Sequence, residues 1–154
     1  MTIPLEYRSF GVREMKELPP RVIFYDGHCA FCDGWVAWLL EHDSRRRFRY
    51  AALQGETARE LSAVFPETLA ASLNSLILLD SSGPEPLVYL RSRAVFRILT
   101  ELGRPYRIIG WLRVFPAVIT DLPYRVIARI RYRIYGRLNE CRAPNDDLRH
   151  LFLE

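Results

Sequence analysis

A pair of cysteines, Cys29 and Cys32, set directly behind a short apolar run, constrains this chain more than any other feature. Val22, Ile23, Phe24 and Tyr25 are β-branched or aromatic and read as a strand, and Asp26-Gly27 is turn chemistry that ends it. Beyond the cysteines, Trp35, Val36, Leu39 and Leu40 are apolar pairs four apart, a helical period. The local order is strand, tight turn, helix, with Cys29 at or just before the helix start and Cys32 one turn in. A helix start offers unpaired N–H groups and the positive end of the macrodipole, both favourable to an anion. The anion of a cysteine is the species that attacks a disulfide. Cys29 is therefore expected to be the nucleophile and the more exposed thiol, and Cys32 to be the thiol that resolves a mixed disulfide.

Other readings of the pair are a zinc half-site and inert buried thiols. Zinc usually takes four ligands, commonly as two close cysteine pairs. The remaining candidates, Cys141, His28, His42 and His150, do not form a second pair. Asp26 reads either as a general base for the Cys32 proton or as a turn residue accepting backbone N–H groups. His28 reads as a cation beside the Cys29 thiolate or as an exposed loop histidine. Cys141 is a third redox thiol or a small buried apolar residue, and Trp35 and Trp38 pack the core and rim of the first helix.

With 154 residues there is room for one substantial core. No apolar run is long enough to span a membrane, because Arg107 and Arg113 interrupt the best stretch, residues 106–119. The first residues lack a basic start followed by an apolar stretch, so a cytoplasmic, reducing setting is expected. There, a C-x-x-C pair means metal or redox chemistry more often than a structural disulfide. The net charge of +4 comes from arginine, since Lys16 is the only lysine. Nine arginines fall between residues 104 and 142, against Asp121 and Glu140. The row Arg125, Arg129, Arg133 and Arg137 reads as a solvated helix face or as a site for phosphate or an acidic partner. Neither a Walker loop, a G-x-G-x-x-G nor an H-E-x-x-H occurs, and no nucleic-acid motif accompanies the tyrosines among the arginines. No cofactor, metal or nucleic acid is expected.

Residues 1–20 show no period and read as an N-terminal arm. A first strand over 21–26, a helix over about 29–42 and a strand over 48–53 make a β-α-β unit, with the strands parallel. A second helix follows over 56–65. Residues 75–80 read as a buried strand that forms a hairpin with 86–90. Ser92 reads as the N-cap of a helix carrying Ala94, Val95, Ile98, Leu99 and Leu102 and stopped by Gly103. Two further helices are expected, near 106–118 with Pro116 kinking or ending it and from Leu122-Pro123 onward. The last carries Val126, Ile127, Ile130, Ile134 and Leu138 as a stripe expected to pack on the domain.

This order resembles the thioredoxin fold, an α/β fold of β-α-β-α-β-β-α in three layers. Within it the chain resembles the DCC family of predicted thiol-disulfide oxidoreductases, named for Asp-x-x-Cys-x-x-Cys, here Asp26-Gly27-His28-Cys29-Ala30-Phe31-Cys32. The resemblance runs on through residues 48–54, Ser92-Arg93-Ala94, residues 124–132, Gly136-Arg137 and Cys141. It departs from thioredoxin at Leu73-Asn74-Ser75, where no proline precedes the third strand, and at Ala30-Phe31 between the cysteines. A core over 21–103 and a helical extension over 104–154 are expected; the resemblance implies thiol–disulfide exchange, which a cytosol would run in the reductase direction. Its substrates would be disulfides of proteins or small molecules, with a dithiol as electron donor. The alternatives are a non-catalytic binding module with a basic helix, and a small zinc protein.

Overall fold

The computed structural model describes residues 19–59, 75–84, 86–138 and 146–153. The N-terminal arm up to residue 18, the second helix beyond residue 59, residues 73 and 74, and Cys141 lie outside the described residues.

Strand β1 (Arg21–Tyr25) alternates as its residue types dictate: Ile23 and Tyr25 enter one core, Val22 and Phe24 the other. Helix α1 (Ala30–His42) crosses over to β2 (Arg49–Ala52), which pairs parallel with β1. Asp43 holds the intervening turn, its Oδ2 accepting the N–H of Arg47 at 2.6 Å and of Phe48 at 3.2 Å. Strand β3 (Ile77–Asp80), buried throughout, runs antiparallel to β1 and forms the expected hairpin with β4 (Leu87–Leu90). Helix α2 (Arg91–Leu102) then lays Ala94 and Ile98 beside Val36 and Leu39 of α1 on one face of the sheet. Residues 56–59 are helical and put Ala58 into the core on the other face. The result is a mixed α/β fold compatible with the thioredoxin-like order plus a C-terminal helix.

Four differences from expectation stand out. Ser92 is no cap: α2 starts at Arg91, with Leu90 at the N-cap position and no side-chain cap, and the Ser92 hydroxyl bonds Thr120 at 3.1 Å and also Asp121. The stretch after Gly103 breaks into α3 (Arg107–Gly110), a 3-10 turn (Trp111–Val114) and one long helix, α4 (Ala117–Tyr135). Helix α4 thus begins five residues before Leu122, with Pro116 at its N-cap, and runs through Pro123, which forfeits one intrahelical hydrogen bond there. A two-residue strand β5 (Phe152–Leu153) adds to β2 in parallel, giving the order β4-β3-β1-β2-β5.

The fourth difference is the rotation of α4. Val126, Ile130 and Ile134 do not pack on the domain; they are exposed, from 36% at Ile130 to 61% at Ile134, whereas Ile127 lines the cavity beside Cys32 and Leu138 is partly covered. The inward side carries Tyr124, Ala128 and Arg131 instead. Polar anchors set this rotation. The Tyr124 hydroxyl accepts the Leu76 N–H at 2.8 Å, and Arg131 is buried against Asp26. A buried guanidinium without its carboxylate is far costlier than exposed isoleucines. Arg125, Arg129, Arg133 and Arg137 are exposed, as a solvated face would be. Trp35 stacks on Trp38 and Trp38 on His42, at ring distances of 5.1 and 4.3 Å, packing the rim of α1.

Candidate active site

Cys29 is the N-cap of α1: its backbone is extended, and its Sγ accepts the Cys32 N–H at 3.4 Å. The turn before it is closed by the Cys29 N–H bonding the Asp26 carbonyl at 3.2 Å. Both cysteines are free thiols. The expected exposure is reversed, however. Cys29 is fully covered at 0%, whereas Cys32 retains 8%. The cover comes from the chain just beyond α4. Arg137 forms an antiparallel bridge with Cys29, and the Leu138 N–H bonds the His28 carbonyl at 2.9 Å.

Gly136 makes that return possible. Its φ of 81° with ψ of 177° belongs to a region that is nearly closed to side chains, although a Cβ there would meet no neighbour. Gly136→Ala is therefore expected to loosen residues 136–138 while leaving the sheet intact. Strain of about 1–3 kcal/mol spent on that opening raises native-state alkylation of Cys29 by roughly 5- to 150-fold. An unchanged alkylation rate would contradict the role given to this strap.

Asp26 sits behind the cysteines, 3% exposed, with both oxygens engaged. Oδ1 accepts the His28 N–H at 3.1 Å and the Gln54 amide at 3.0 Å. Oδ2 accepts Arg131 Nη2 at 2.9 Å and the Tyr132 hydroxyl. Gln54 completes the turn by accepting the Gly27 N–H at 3.1 Å. The other arm of the same guanidinium, Nη1, lies 3.4 Å from Cys32 Sγ. Tyr132 is flanked by two guanidinium groups, Arg131 at 4.9 Å and Arg137 at 4.8 Å from its ring centre. The backbone part expected of Asp26 is thus present. His28 takes part through its backbone, with an exposed side chain whose ring makes no hydrogen bond among the described residues. The sequence reading missed Arg131, Tyr132 and Gln54, although all three lie inside the segments that carry the family resemblance.

Burial pushes the Cys32 thiol up to about 12, and its hydrogen bond with Cys29 adds to this. The Arg131 charge opposes the rise, while the charges of Cys29 and Asp26 reinforce it. In the unfolded chain the thiol ionises near 9.0, so above that pH the unfolded state sheds a proton that the folded state keeps. Stability of the reduced protein should therefore be intact below pH 9 and fall as pH rises toward about 12. Cys32→Ser should show a shallower decline in denaturant midpoint over that window. The part that remains belongs to the buried tyrosines Tyr50 and Tyr124, which burial also shifts upward. Identical declines in the two proteins would contradict the assignment.

Beside Cys32 opens a cavity of about 260 Å³ walled by Phe31, Val95, Phe96, Ile127 and Arg131, almost wholly apolar. Among the described residues no cluster of three or more metal-binding side chains occurs. No helix among them is long and apolar enough to cross a membrane.

A family model described as DCC1-like thiol-disulfide oxidoreductase matches residues 23–137, a span that holds every site residue named above. The uncharacterized protein YuxK of Bacillus subtilis (strain 168) is 27% identical over 140 residues, covering 90% of this chain and 97% of that protein. The DCC family protein At1g52590 of Arabidopsis thaliana, named as chloroplastic, is 28% identical over 124 residues, 78% of this chain and 67% of that protein. No solved structure matches.

Proposed function

We propose that this chain, which belongs to the DCC1-like thiol-disulfide oxidoreductase family, exchanges thiols and disulfides with Cys29 as nucleophile and Cys32 as resolving thiol. The observation that carries the reading is the asymmetry of the pair. Cys29 Sγ accepts a backbone N–H at the helix start, while Cys32 is the thiol that holds its proton.

In the reductase direction residues 136–138 first lift from Cys29, which they cover completely, and the uncovered Cys29 thiolate attacks one sulfur of a substrate disulfide. A bond forms between Cys29 and that sulfur, the substrate S–S bond breaks, and the departing sulfur leaves as a thiolate that takes up a proton. Two of the influences that keep Cys32 protonated, its hydrogen bond to Cys29 and the Cys29 charge, vanish once Cys29 is in a mixed disulfide. The guanidinium of Arg131 remains and favours the Cys32 thiolate as its proton leaves to solvent. Cys32 then attacks Cys29 Sγ, the Cys29–Cys32 disulfide forms, and the second substrate thiol is released. Two electrons have passed to the substrate, and a dithiol donor restores the pair. Asp26, engaged on both oxygens, is a positioning residue that holds Arg131 against Cys32.

The apolar cavity favours substrates whose disulfide is flanked by apolar groups, on a protein or a small molecule. The guanidinium beside Cys32 supports exchange over zinc binding, since it repels a cation. The free thiols of Cys29 and Cys32 and the reductase direction suit a reducing, cytoplasmic setting. The test is turnover of an aryl disulfide with dithiothreitol as donor. Wild type should accelerate the reaction well beyond dithiothreitol alone, and more for the aryl disulfide than for oxidised glutathione, while Cys29→Ser gives no acceleration. No acceleration by the wild type would favour a binding module that keeps the fold without turnover.

A further inference from the structure

We propose that the outward face of α3, the 3-10 turn and α4 docks on the surface of an anionic phospholipid bilayer. Apart from Phe31, every large hydrophobic side chain found exposed among the described residues falls between residues 108 and 135. Trp111, Phe115 and Val118 head this face, and Val126, Ile130 and Ile134 continue it along α4. A patch of this kind is more than scattered surface apolarity and marks an interaction site.

Charge selects the occupant. Arg107, Arg113, Arg125, Arg129 and Arg133 are exposed among the same apolar side chains. The single carboxylate of residues 104–138, Asp121, is turned to the inner side, where Ser92 and Arg91 engage it. The face is therefore apolar and cationic without relief. A second copy of the chain would set arginine against arginine, which opposes self-association. An anionic bilayer surface answers both properties at once: its headgroups neutralise the arginines, and the isoleucines and Trp111 enter the boundary with the acyl chains. Helix α4 would lie in the plane of that surface, in keeping with the lack of a spanning helix among the described residues.

The experiment is co-sedimentation of the full chain with phosphatidylglycerol–phosphatidylcholine vesicles and with phosphatidylcholine vesicles. The expected result is binding to the anionic vesicles, weakened by salt and accompanied by a blue shift of tryptophan emission. Arg125→Gln/Arg129→Gln/Arg133→Gln should weaken partitioning about a hundredfold, roughly fivefold per arginine. Ile130→Glu/Ile134→Glu should also release the protein, with circular dichroism and thiol exchange unchanged, since these residues lie outside the site. Three results would overturn the proposal. They are failure to bind the anionic vesicles, equal binding to both kinds, and a dimer in solution that Ile130→Glu/Ile134→Glu dissolves.

Discussion

Arg131→Met is expected to lower the unfolding free energy by about 3–5 kcal/mol, the range for breaking a buried ion pair by removing one partner. Arg131 and Asp26 are each 3% exposed and meet at 2.9 Å, so neither has water to fall back on. Methionine keeps most of the apolar length, which makes the loss one of charge rather than of packing. Two controls separate these. Arg129→Met, on the exposed side of the same helix, should change stability by no more than about 0.5 kcal/mol. Arg131→Met/Asp26→Asn should recover part of the loss, because the orphaned carboxylate is gone. Exchange should also suffer at a defined step. Without the guanidinium 3.4 Å from Cys32 Sγ, the mixed disulfide should persist longer and resolve only at higher pH. Asp26→Asn should move that pH profile the opposite way, because it removes a charge that holds the proton on Cys32 and leaves the Arg131 charge in place, a readout that a purely structural role would leave alone. Denaturant unfolding at the wild-type midpoint for Arg131→Met would refute the ion pair as the anchor of α4.

The strand, turn and helix around the cysteines were legible because every local signal agreed. A β-branched run, Asp-Gly and a helical period all point to the same order over residues 21–42. The hairpin of β3 and β4 was legible for the same reason. The rotation of α4 was not. Hydrophobic periodicity assigns Val126, Ile127, Ile130 and Ile134 to the inside, yet a pairing across 105 positions, Arg131 with Asp26, turns Val126, Ile130 and Ile134 outward. A buried arginine looks like its exposed neighbours in sequence, and nothing local tells Arg131 from Arg129 or Arg133. The family resemblance over residues 124–132 was the one signal that covered it. The burial of Cys29 escaped for a related reason: its cover is the chain at Arg137 and Leu138, far along the sequence. Strand β5 is two residues long, too short to show a period.

If Cys29 attacks and Cys32 resolves, the intermediate between them can be trapped. Cys32→Ser keeps the attacking thiol and removes the one that ends the mixed disulfide, so an intermediate that is fleeting in the wild type should accumulate. Cys29→Ser leaves Cys32, whose burial still holds its proton on, and should form little adduct there near neutral pH. The measurement, made in a Cys141→Ser background so that Cys29 and Cys32 are the only cysteines, is intact-protein mass after exposure to an aryl disulfide, with the modified residue located by peptide mapping. The account predicts one added aryl thiol, on Cys29 of Cys32→Ser, an unadducted internal disulfide in the wild type, and an unmodified Cys29→Ser. Equal adducts on both variants, adduct only on Cys32 of Cys29→Ser, or none on either would contradict it.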